Sequence, residues 1–499
     1  MIRTIIATFT FLGIAASINA QDSIRLNLED AIRLAQSQSL QSLINKHDYL
    51  ADYWQYKSFR ADYLPEVSLN SNPVAYNNAS RLRYNSNTQT EEFVQSEEIS
   101  SDLNVDVSQK LPITGGRFFV QSELARIENF GQNSYTQYSA VPVRIGYSQE
   151  LFGFNPMKWE QTIEPLKFKK AKKEYVMAME ETAQETIDHF FKLLSARFKL
   201  DMARYNVSTT EELLEIARKR IELGTLTREE LIDLRLSANN AKIEIQEARL
   251  AYREAKENLL NFLMLPAETG IKTELPEQVP IEETNPQKVL EEARENNPQI
   301  LEQEQKILES KRNVAEAKSD RHFRADLNMS FGLSKNDGTA AEKGTIGNAY
   351  SPEFENYQQV NIGINIPILD WGKNKGRFEM ARSRQKVAET AAQKVLQEFE
   401  QDVVTSAISF NIQQSKLESS AVSDTLAKES YQLTMTRFKQ GKTDVLKLNT
   451  SQKAKDKAQL QYINAMAEYW NQYYYLRKLT LYDFKNEQEI SFDPENPEN

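Results

Sequence analysis

"ARKRIELGTLTREELIDLRLSANNAKIEIQEARLAYREAKENLLNF" (residues 217–262) is the stretch that decides the fold of this chain. It contains no proline and one glycine, Gly224, after which small and apolar residues recur at alternating spacings of three and four. This spacing is typical of a helix packed along a seam, and helix breakers are avoided where a helix has to continue. The sequence therefore predicts two long antiparallel helices joined by a turn at Gly224. The seam of the second helix consists of Leu231, Leu234, Ala238, Ala241, Ile245, Ala248, Tyr252, Ala255, Leu259 and Phe262.

The same hairpin occurs again 217 residues later in the chain. This shift takes Arg220 to Arg437 and Gly224 to Gly441 without a gap. The longest helices would reach on the order of 100 Å at about 1.5 Å per residue, which exceeds a single globular domain. The second seam is more polar and consists of Leu448, Ser451, Lys455, Ala458, Tyr462, Ala465, Tyr469, Gln472, Leu476 and Leu479.

The two hairpins indicate a chain built from two repeats. Each repeat is predicted to contain a helix, a set of strands and a long helical hairpin, in that order. Residues 266–285 form a proline- and glutamate-rich linker, and residues 485–499 form an acidic tail that we predict to be poorly ordered. The first repeat is 21–265, with strands at about 66–152 and the hairpin at 157–265; the second is 286–484, with strands at about 325–369 and the hairpin at 377–484.

The predicted strands have one apolar face. In "QVNIGINIPIL" (359–369), valine and isoleucine alternate with small or polar residues. This period of two fits a soluble sandwich, which buries the apolar face, and equally a transmembrane barrel, which turns that face to lipid. The export signal described below and the long attached helices favour the barrel.

The first repeat contains an insertion. "SQKL" at 108–111 and "SQEL" at 148–151 are near copies, and the shift between the repeats is 258 before this region and 217 after it. Both observations predict an extra β-hairpin of about forty residues. We expect it to join the sheet as strands three and four of the first repeat, which gives six strands per chain.

Composition restricts the compartment and the chemistry. Residues 1–20 have a positive n-region, an apolar h-region and Ala20 before the cleavage point, as in a secretory signal peptide. The formal net charge is −10, which argues against a nucleic-acid partner, and there is no cysteine for disulfides, thiolate metal sites or thiol catalysis. The histidines are isolated in sequence. No catalytic or cofactor-binding motif occurs, so we expect neither an enzyme nor a bound cofactor or metal.

Several segments together resemble the TolC family of outer-membrane efflux proteins. They are "LNLEDAIRLA" (26–35), "YLPEVSL" (63–69), the repeated "SQ-x-L", "ARKRIELG" (217–224) and "TMTRFKQG" (434–441), in the context of two repeats. The resemblance covers the whole mature chain. The family often has four strands per chain, whereas six are readable here.

This resemblance implies a function. Three copies would form one duct, a mixed α/β membrane protein whose strands build a shared transmembrane β-barrel in outer-membrane lipid and whose helices build a periplasmic coiled-coil tunnel. The duct would be the passive exit of a tripartite efflux or type I secretion system. Its partners would be a periplasmic adaptor protein and an inner-membrane pump of the RND or ABC type. The alternative is an extracytoplasmic coiled-coil scaffold with a soluble β domain.

Two sets of candidate site residues lie at the hairpin turns. The adaptor-docking tips are predicted at Arg220, Leu223 and Gly224 and at Arg437, Gln440 and Gly441. The family carries an aspartate six residues after the turn glycine; that position holds Glu230 in the first repeat and Lys447 in the second. Threefold symmetry would turn such charges into rings that attract cations at the narrowest point of the tunnel, and Lys447 would pair with a carboxylate of a neighbouring helix and latch the tip shut. The predicted gate residues are Glu230, Asp233, Asp444 and Lys447.

Overall fold

The computed structural model describes most of the chain, and it divides the chain into two units. The unit that we call the hairpin unit comprises Met1–Lys46, Tyr175–Asn296 and Asp402–Asn499, and the sheet unit comprises His47–Glu174 and Asn297–Gln401. The predicted signal peptide at 1–20 lies outside the described residues. The described residues are 24–85, 89–130, 134–224, 226–276, 283–338, 343–351 and 353–492.

Helices account for most of the described residues. The two longest, α3 and α8, have 67 residues each. The helices are α1 (Leu28–Gln38), α2 (Leu40–Ala61), α3 (Pro156–Glu222), α4 (Arg228–Phe262), α5 (Pro286–Asn296), α6 (Pro298–Ser319), α7 (Ile346–Ala349), α8 (Lys373–Lys439) and α9 (Val445–Thr480). Among the described residues, no helix combines the length and the apolar character needed to cross a bilayer.

The structure buries the seam residues that the three-and-four spacing predicts on α4 and α9. Every predicted seam residue of α4 and α9 is buried or half-buried, while the residues between them are mostly exposed along α4. Lys455, the charged member of the second seam, is itself buried. The three-and-four spacing therefore locates the packed face of each returning helix.

The first helix of each repeat is broken, and the prediction of a continuous helix there is wrong. Ser39 separates α1 from α2, and Asn297 separates α5 from α6. Each residue caps the helix that follows: the hydroxyl of Ser39 accepts from the Ser42 amide at 3.1 Å, and the Asn297 side chain accepts from the Gln299 amide at 2.8 Å. Side-chain acceptors of this kind satisfy amides that a helix start leaves unpaired.

The sheet unit holds one six-stranded antiparallel sheet. The strands of the chain are β1 (Ile24–Leu26), β2 (Glu66–Asn85), β3 (Thr90–Leu111), β4 (Gly116–Phe130), β5 (Tyr135–Leu151), β6 (Ile271–Thr273), β7 (Arg324–Asp337), β8 (Glu355–Asn365), β9 (Tyr482–Asp483) and β10 (Gln488–Glu489). The order in the large sheet is β2-β3-β4-β5-β7-β8, so the inserted hairpin, β4 and β5, lies in the middle of the sheet. The short strands β1, β6, β9 and β10 belong to the hairpin unit.

One face of this sheet is apolar from strand to strand. A single cross-strand row joins Val67, Val107, Val120, Ile145 and Phe331, each directly opposite the next. Because side chains alternate between faces, the residues beside each member of the row point to the other face. That other face carries polar residues, which we call the polar face.

The second repeat has less strand than predicted. The interval 325–369 contains β7 and β8, but β8 ends at Asn365 and the residues after it are not in the sheet. Pro367 lacks a backbone N–H and cannot continue a ladder of hydrogen bonds. The alternating isoleucines therefore continue to Ile366 and Ile368, beyond the last residue of β8.

The linker and the tail also contain structure that the sequence did not predict. Within the linker, β6 pairs in parallel with β1. After Phe484 the chain turns back, and β10 pairs with β9. The prediction of a poorly ordered tail is therefore wrong for residues 485–492, whereas residues 493–499 lie outside the described part of the chain.

A buried ion-pair network fixes this returning segment. Arg477 donates two hydrogen bonds to the fully buried carboxylate of Glu180, at 2.8 and 3.0 Å, and one to Asp483 at 3.0 Å. Tyr473 donates to Asp483 at 2.6 Å. Burial alone would lower the pKa of Arg477, but the facing carboxylate of Glu180 holds it above its ordinary value. The segment around Asp483 is thus tied to α3 and α9.

Candidate functional site

The turns of the two long hairpins share one apolar core within the hairpin unit. Residues from both hairpins meet there, so neither tip is packed alone. Phe438 is fully buried in it, and the repeat-related Ile221 packs at its edge. The buried members are Leu213, Ala217, Leu226, Leu234, Tyr431, Phe438, Val445 and Leu448.

Arg220 links the first tip to the second. Its Nη1 donates to the backbone carbonyl of Phe438 at 3.4 Å, and its guanidinium lies 5.4 Å from the centre of the Phe438 ring. That carbonyl belongs to the last turn of α8, where a cation is favourable because the helix end carries partial negative charge. Lys439 adds a second link through an ion pair with Glu212 at 2.7 Å.

The repeat-related Arg437 has a different environment. Arg437 is exposed, and so are Leu223 and Gln440 beside the two turns. Of the predicted docking residues, these three present side chains to solvent, whereas Arg220 is engaged inside the tip. Docking itself stays a prediction.

The two turn glycines have left-handed backbone conformations. Gly224 has φ of +69° and Gly441 has φ of +76°. A side chain at either position is strained, so the glycines end α3 and α8 for a steric reason. A β-carbon at Gly441 would lie 3.6 Å from Nη2 of Arg220, whereas one at Gly224 would meet open space.

The predicted gate carboxylates satisfy the starts of the returning helices. Glu230 accepts from the amide of Thr227 at 2.9 Å, and the Thr227 hydroxyl accepts from the amide of Glu230 at 3.2 Å. This reciprocal pair is a capping box. Asp444 lies 217 residues after Thr227 and is likewise an N-cap, accepting from the amide of Lys447 at 2.7 Å.

Asp233 and the side chain of Lys447 are exposed. Among the described residues of a single chain, Lys447 forms no ion pair, so the latch predicted for it would need a neighbouring chain. A ring of like charges also needs three chains. The gate therefore stays a prediction, and two of its three carboxylates, Glu230 and Asp444, also cap the returning helices.

The sequence places Lys455 on the second seam but does not indicate which side chains surround it. The ammonium of Lys455 lies 4.9 Å from the ring centre of Tyr205 and 4.6 Å from that of Tyr431, and it pairs with Asp456 at 3.1 Å. Burial, with Tyr205 as the next cause, raises the pKa of Tyr431. Lys455 occupies the position that Ala238 holds in the first repeat, so a lysine there is unusual. Only the folded chain brings the rings of Tyr205 on α3 and Tyr431 on α8 around its ammonium group.

The sequence contains no metal-binding motif, and the structure can be searched for metal ligands that come together only on folding. In the parts of the chain that the structure describes, no group of three or more histidine, cysteine, aspartate or glutamate residues could hold a metal ion. His189 stacks on Phe262, with ring centres 4.8 Å apart, and burial followed by the charge of Lys192 lowers its pKa. The stacked ring of His189 contributes to the packing between α3 and α4.

Known proteins with this architecture give the site its context. The family model described as outer membrane efflux protein matches residues 33–263 and 289–480, which includes both hairpin tips. No individual curated protein matches the chain by sequence.

Solved structures match over nearly their full length. The outer membrane channel CmeC of Campylobacter jejuni is 14% identical with a TM-score of 0.64, over 99% of this chain and 96% of that one. The outer membrane protein VceC of Vibrio cholerae is 11% identical with a TM-score of 0.61, over 92% and 96%. The outer membrane channel MtrE of Neisseria gonorrhoeae is 16% identical with a TM-score of 0.58, over 91% and 88%. At these identities the likeness concerns the fold.

Proposed function

The chain belongs to the outer membrane efflux protein family, which makes it an outer-membrane exit duct of an efflux system, and we propose that three copies assemble into one such duct. Members of this family are channels, and we propose a passive role for this chain as well. In our proposal the sheets of three chains form one transmembrane barrel, and the long helices form one periplasmic tunnel.

The observation that carries this proposal is the apolar face of the sheet. The row from Val67 to Phe331 crosses five strands, and Val360, Ile362 and Ile364 on β8 are each more than half exposed. An exposed apolar surface that spans a whole sheet needs a partner that covers it. Lipid covers such a face in a transmembrane barrel, where the opposite face is polar.

The edges of the sheet support closure by copies of the chain. β2 and β8 are the two edge strands, and five successive antiparallel pairings make them run in opposite directions. The β8 edge of one copy can therefore pair antiparallel with the β2 edge of the next, which removes both open edges. Three sheets of six strands would give eighteen strands, and the inserted hairpin would widen the barrel.

Exposed apolar side chains also mark one end of the sheet. They occur in the segments that join helices to strands or turn between strands at that end, and they include aromatic rings. Aromatic and large apolar residues at such positions are typical of the boundary between membrane and water. The exposed residues are Leu64, Ile113, Phe152, Phe323, Ile368, Leu369 and Trp371.

Fractionation with native mass measurement tests the assembly. We expect the purified chain in detergent to have the mass of three copies and to come from the outer membrane. A monomer from the soluble periplasmic fraction would contradict the proposal and would favour the coiled-coil scaffold.

Two neighbouring substitutions sharpen this test. Val360→Lys places a charge on the apolar face of β8, and Asn361→Lys places the same charge on the polar face. A lysine facing the bilayer midplane costs about 2–4 kcal/mol. We expect Val360→Lys to reduce the yield of membrane-inserted trimer strongly and Asn361→Lys to leave it near the parent level.

We also propose that the exposed residues at the hairpin tips contact a periplasmic adaptor, which links the duct to an inner-membrane pump of the RND or ABC type. Leu223, Arg437 and Gln440 are the accessible members of the predicted docking set. Leu223→Asp with Gln440→Asp should abolish co-purification of the adaptor after crosslinking and leave the trimer intact. Unchanged co-purification would mean that Leu223 and Gln440 do not contact the adaptor.

The gate proposal places Glu230, Asp233, Asp444 and Lys447 around the narrow end of the tunnel. Carboxylate rings attract cations and repel anions.

A further inference from the structure

The polar face of the sheet contains a buried carboxylate without a cation. Asp106 on β3 is 8% exposed, and its Oδ1 has no hydrogen-bond partner among the described residues. It lies directly opposite Ser68 on β2 and Gln121 on β4, and it forms no ion pair within the described part of the chain. A buried carboxylate that is left unpaired is costly, so native structures usually supply a cation or a proton.

The neighbours of Asp106 add further acceptors. Asn104 lies two residues earlier on the same face, and its Oδ1 is also buried without a partner. Opposite Asn104 on β4 is Glu123. A carboxylate and an amide, each with a buried oxygen that lacks a partner, thus lie two residues apart on one face, and a second carboxylate lies opposite the amide.

The cationic side chain of Arg144, two strands away on this face, is engaged elsewhere. Arg144 on β5 donates to Oε1 of Gln121 at 3.1 and 2.9 Å, and to Glu123 at 3.2 Å. Its guanidinium therefore neutralises Glu123 rather than Asp106. The unmatched negative charge remains with Asp106.

We propose that Asp106 and Asn104 bind a hydrated divalent cation of the calcium type, with Glu123 at the border of the site. Hard divalent cations take carboxylate and amide oxygens and fill the remaining positions with water. The site has too few protein ligands to be a tight centre. Weak sites of this class have dissociation constants of about 10⁻⁴–10⁻³ M.

Asp102 provides a matched control on the same strand and face. Its carboxylate accepts two hydrogen bonds from the side-chain amide of Asn72, at 3.0 and 3.3 Å, so its oxygens are already satisfied. Asp102→Asn and Asp106→Asn remove the same charge from the same face. Only the second removes an unsatisfied ligand.

Titration calorimetry of the detergent-solubilised full-length protein with calcium chloride tests the site. We expect saturable binding of one ion per chain, at least tenfold weaker in Asp106→Asn and within twofold of the parent in Asp102→Asn. The absence of saturable binding in the parent, or an equal loss in both variants, would overturn the proposal. The titration requires no transport, so its failure would leave the proposed duct function standing.

Asn104→Ala keeps the charge of Asp106 and covers the case in which Asp106→Asn does not fold. It removes one proposed ligand, and we expect calcium affinity to fall at least threefold. An unchanged affinity in this variant would show that Asn104 and Asp106 do not share an ion.

Discussion

The tips of the two helical hairpins occupy related positions in the repeats but use different side chains. The first returning helix starts with a capping box between Thr227 and Glu230, whereas the second starts with the single N-cap Asp444. Both turns contain a glycine with positive φ. The repeat thus preserves the geometry of the turn and the cap, while the chemistry that provides the cap differs.

The cationic residues of the tips differ in the same way. Arg220 lies against the ring and the carbonyl of Phe438, and the related Arg437 is exposed. The aromatic ring that receives Arg220 has an aliphatic counterpart, Ile221, which cannot receive Arg437 in the same manner. An aliphatic side chain has no π face, so Ile221 cannot offer a guanidinium the contact that Phe438 offers Arg220.

The largest expected effect comes from truncating the centre of the shared core. Phe438→Ala removes a fully buried ring and the platform of Arg220, and large core truncations of this kind cost about 3–5 kcal/mol. Ile221→Ala at the related, half-buried position should cost less than half as much. Hydrogen exchange of amides near the tips would measure both. Equal losses in protection would mean that Phe438 and Ile221 contribute alike to the shared core.

An intermediate effect is expected from the helix caps. Asp444→Ala removes the acceptor of the Lys447 amide and should cost about 0.5–2 kcal/mol, as should Thr227→Ala in the first hairpin. Asp444→Asn keeps a good cap and should leave amide protection at the start of α9 near that of the parent. A large loss in Asp444→Asn would mean that charge, rather than the hydrogen bond, stabilises this helix start.

The same conservative changes test the gate without disturbing the caps. Asp444→Asn combined with Glu230→Gln removes two charges per chain and retains the capping acceptors. If these carboxylates line the constriction, single-channel recordings should show weaker block by multivalent cations. If multivalent cations block the channel of the double variant as strongly as that of the parent, neither residue lines the constriction.

The smallest effect is expected from the exposed arginine. Arg220→Met loses the contact with Phe438 and should reduce stability by about 0.5–1 kcal/mol, while Arg437→Met should change it by about zero. Hydrogen exchange at the tips provides the measurement. A cost of Arg437→Met that matches that of Arg220→Met would mean that the tips are equivalent.

The sequence indicates the hairpins and the insertion because both leave periodic traces. Three features are visible in the sequence alone: the near absence of proline along the hairpins, the spacing of the seam residues, and the change of the shift between the repeats from 258 to 217. The breaks at Ser39 and Asn297 were missed, although the shift of 258 relates these two residues. A serine or an asparagine is compatible with a helix, and only its capping hydrogen bond reveals the break.

Local motifs and tertiary contacts differ in how far the sequence predicts them. The capping role of Glu230 has a readable signature, a threonine three residues before a glutamate at the start of an apolar run. The environment of Lys455 has none, because Tyr205 and Tyr431 come from helices far apart in the chain. The unpartnered Asp106 is equally hidden, since its isolation depends on the hydrogen bonds that Arg144 makes to residues of β4.

The ion-pair network of Glu180, Arg477 and Asp483 has a consequence for the synthesis of the protein. Glu180 is made early, but the arginine that neutralises it lies almost three hundred residues later, near the end of the chain. A chain that ends before Arg477 cannot bury Glu180 in this packing without leaving the carboxylate unpaired, at a cost of about 3–5 kcal/mol. Synthesis must therefore proceed past Arg477 before the charge of Glu180 is matched in the packed hairpin unit.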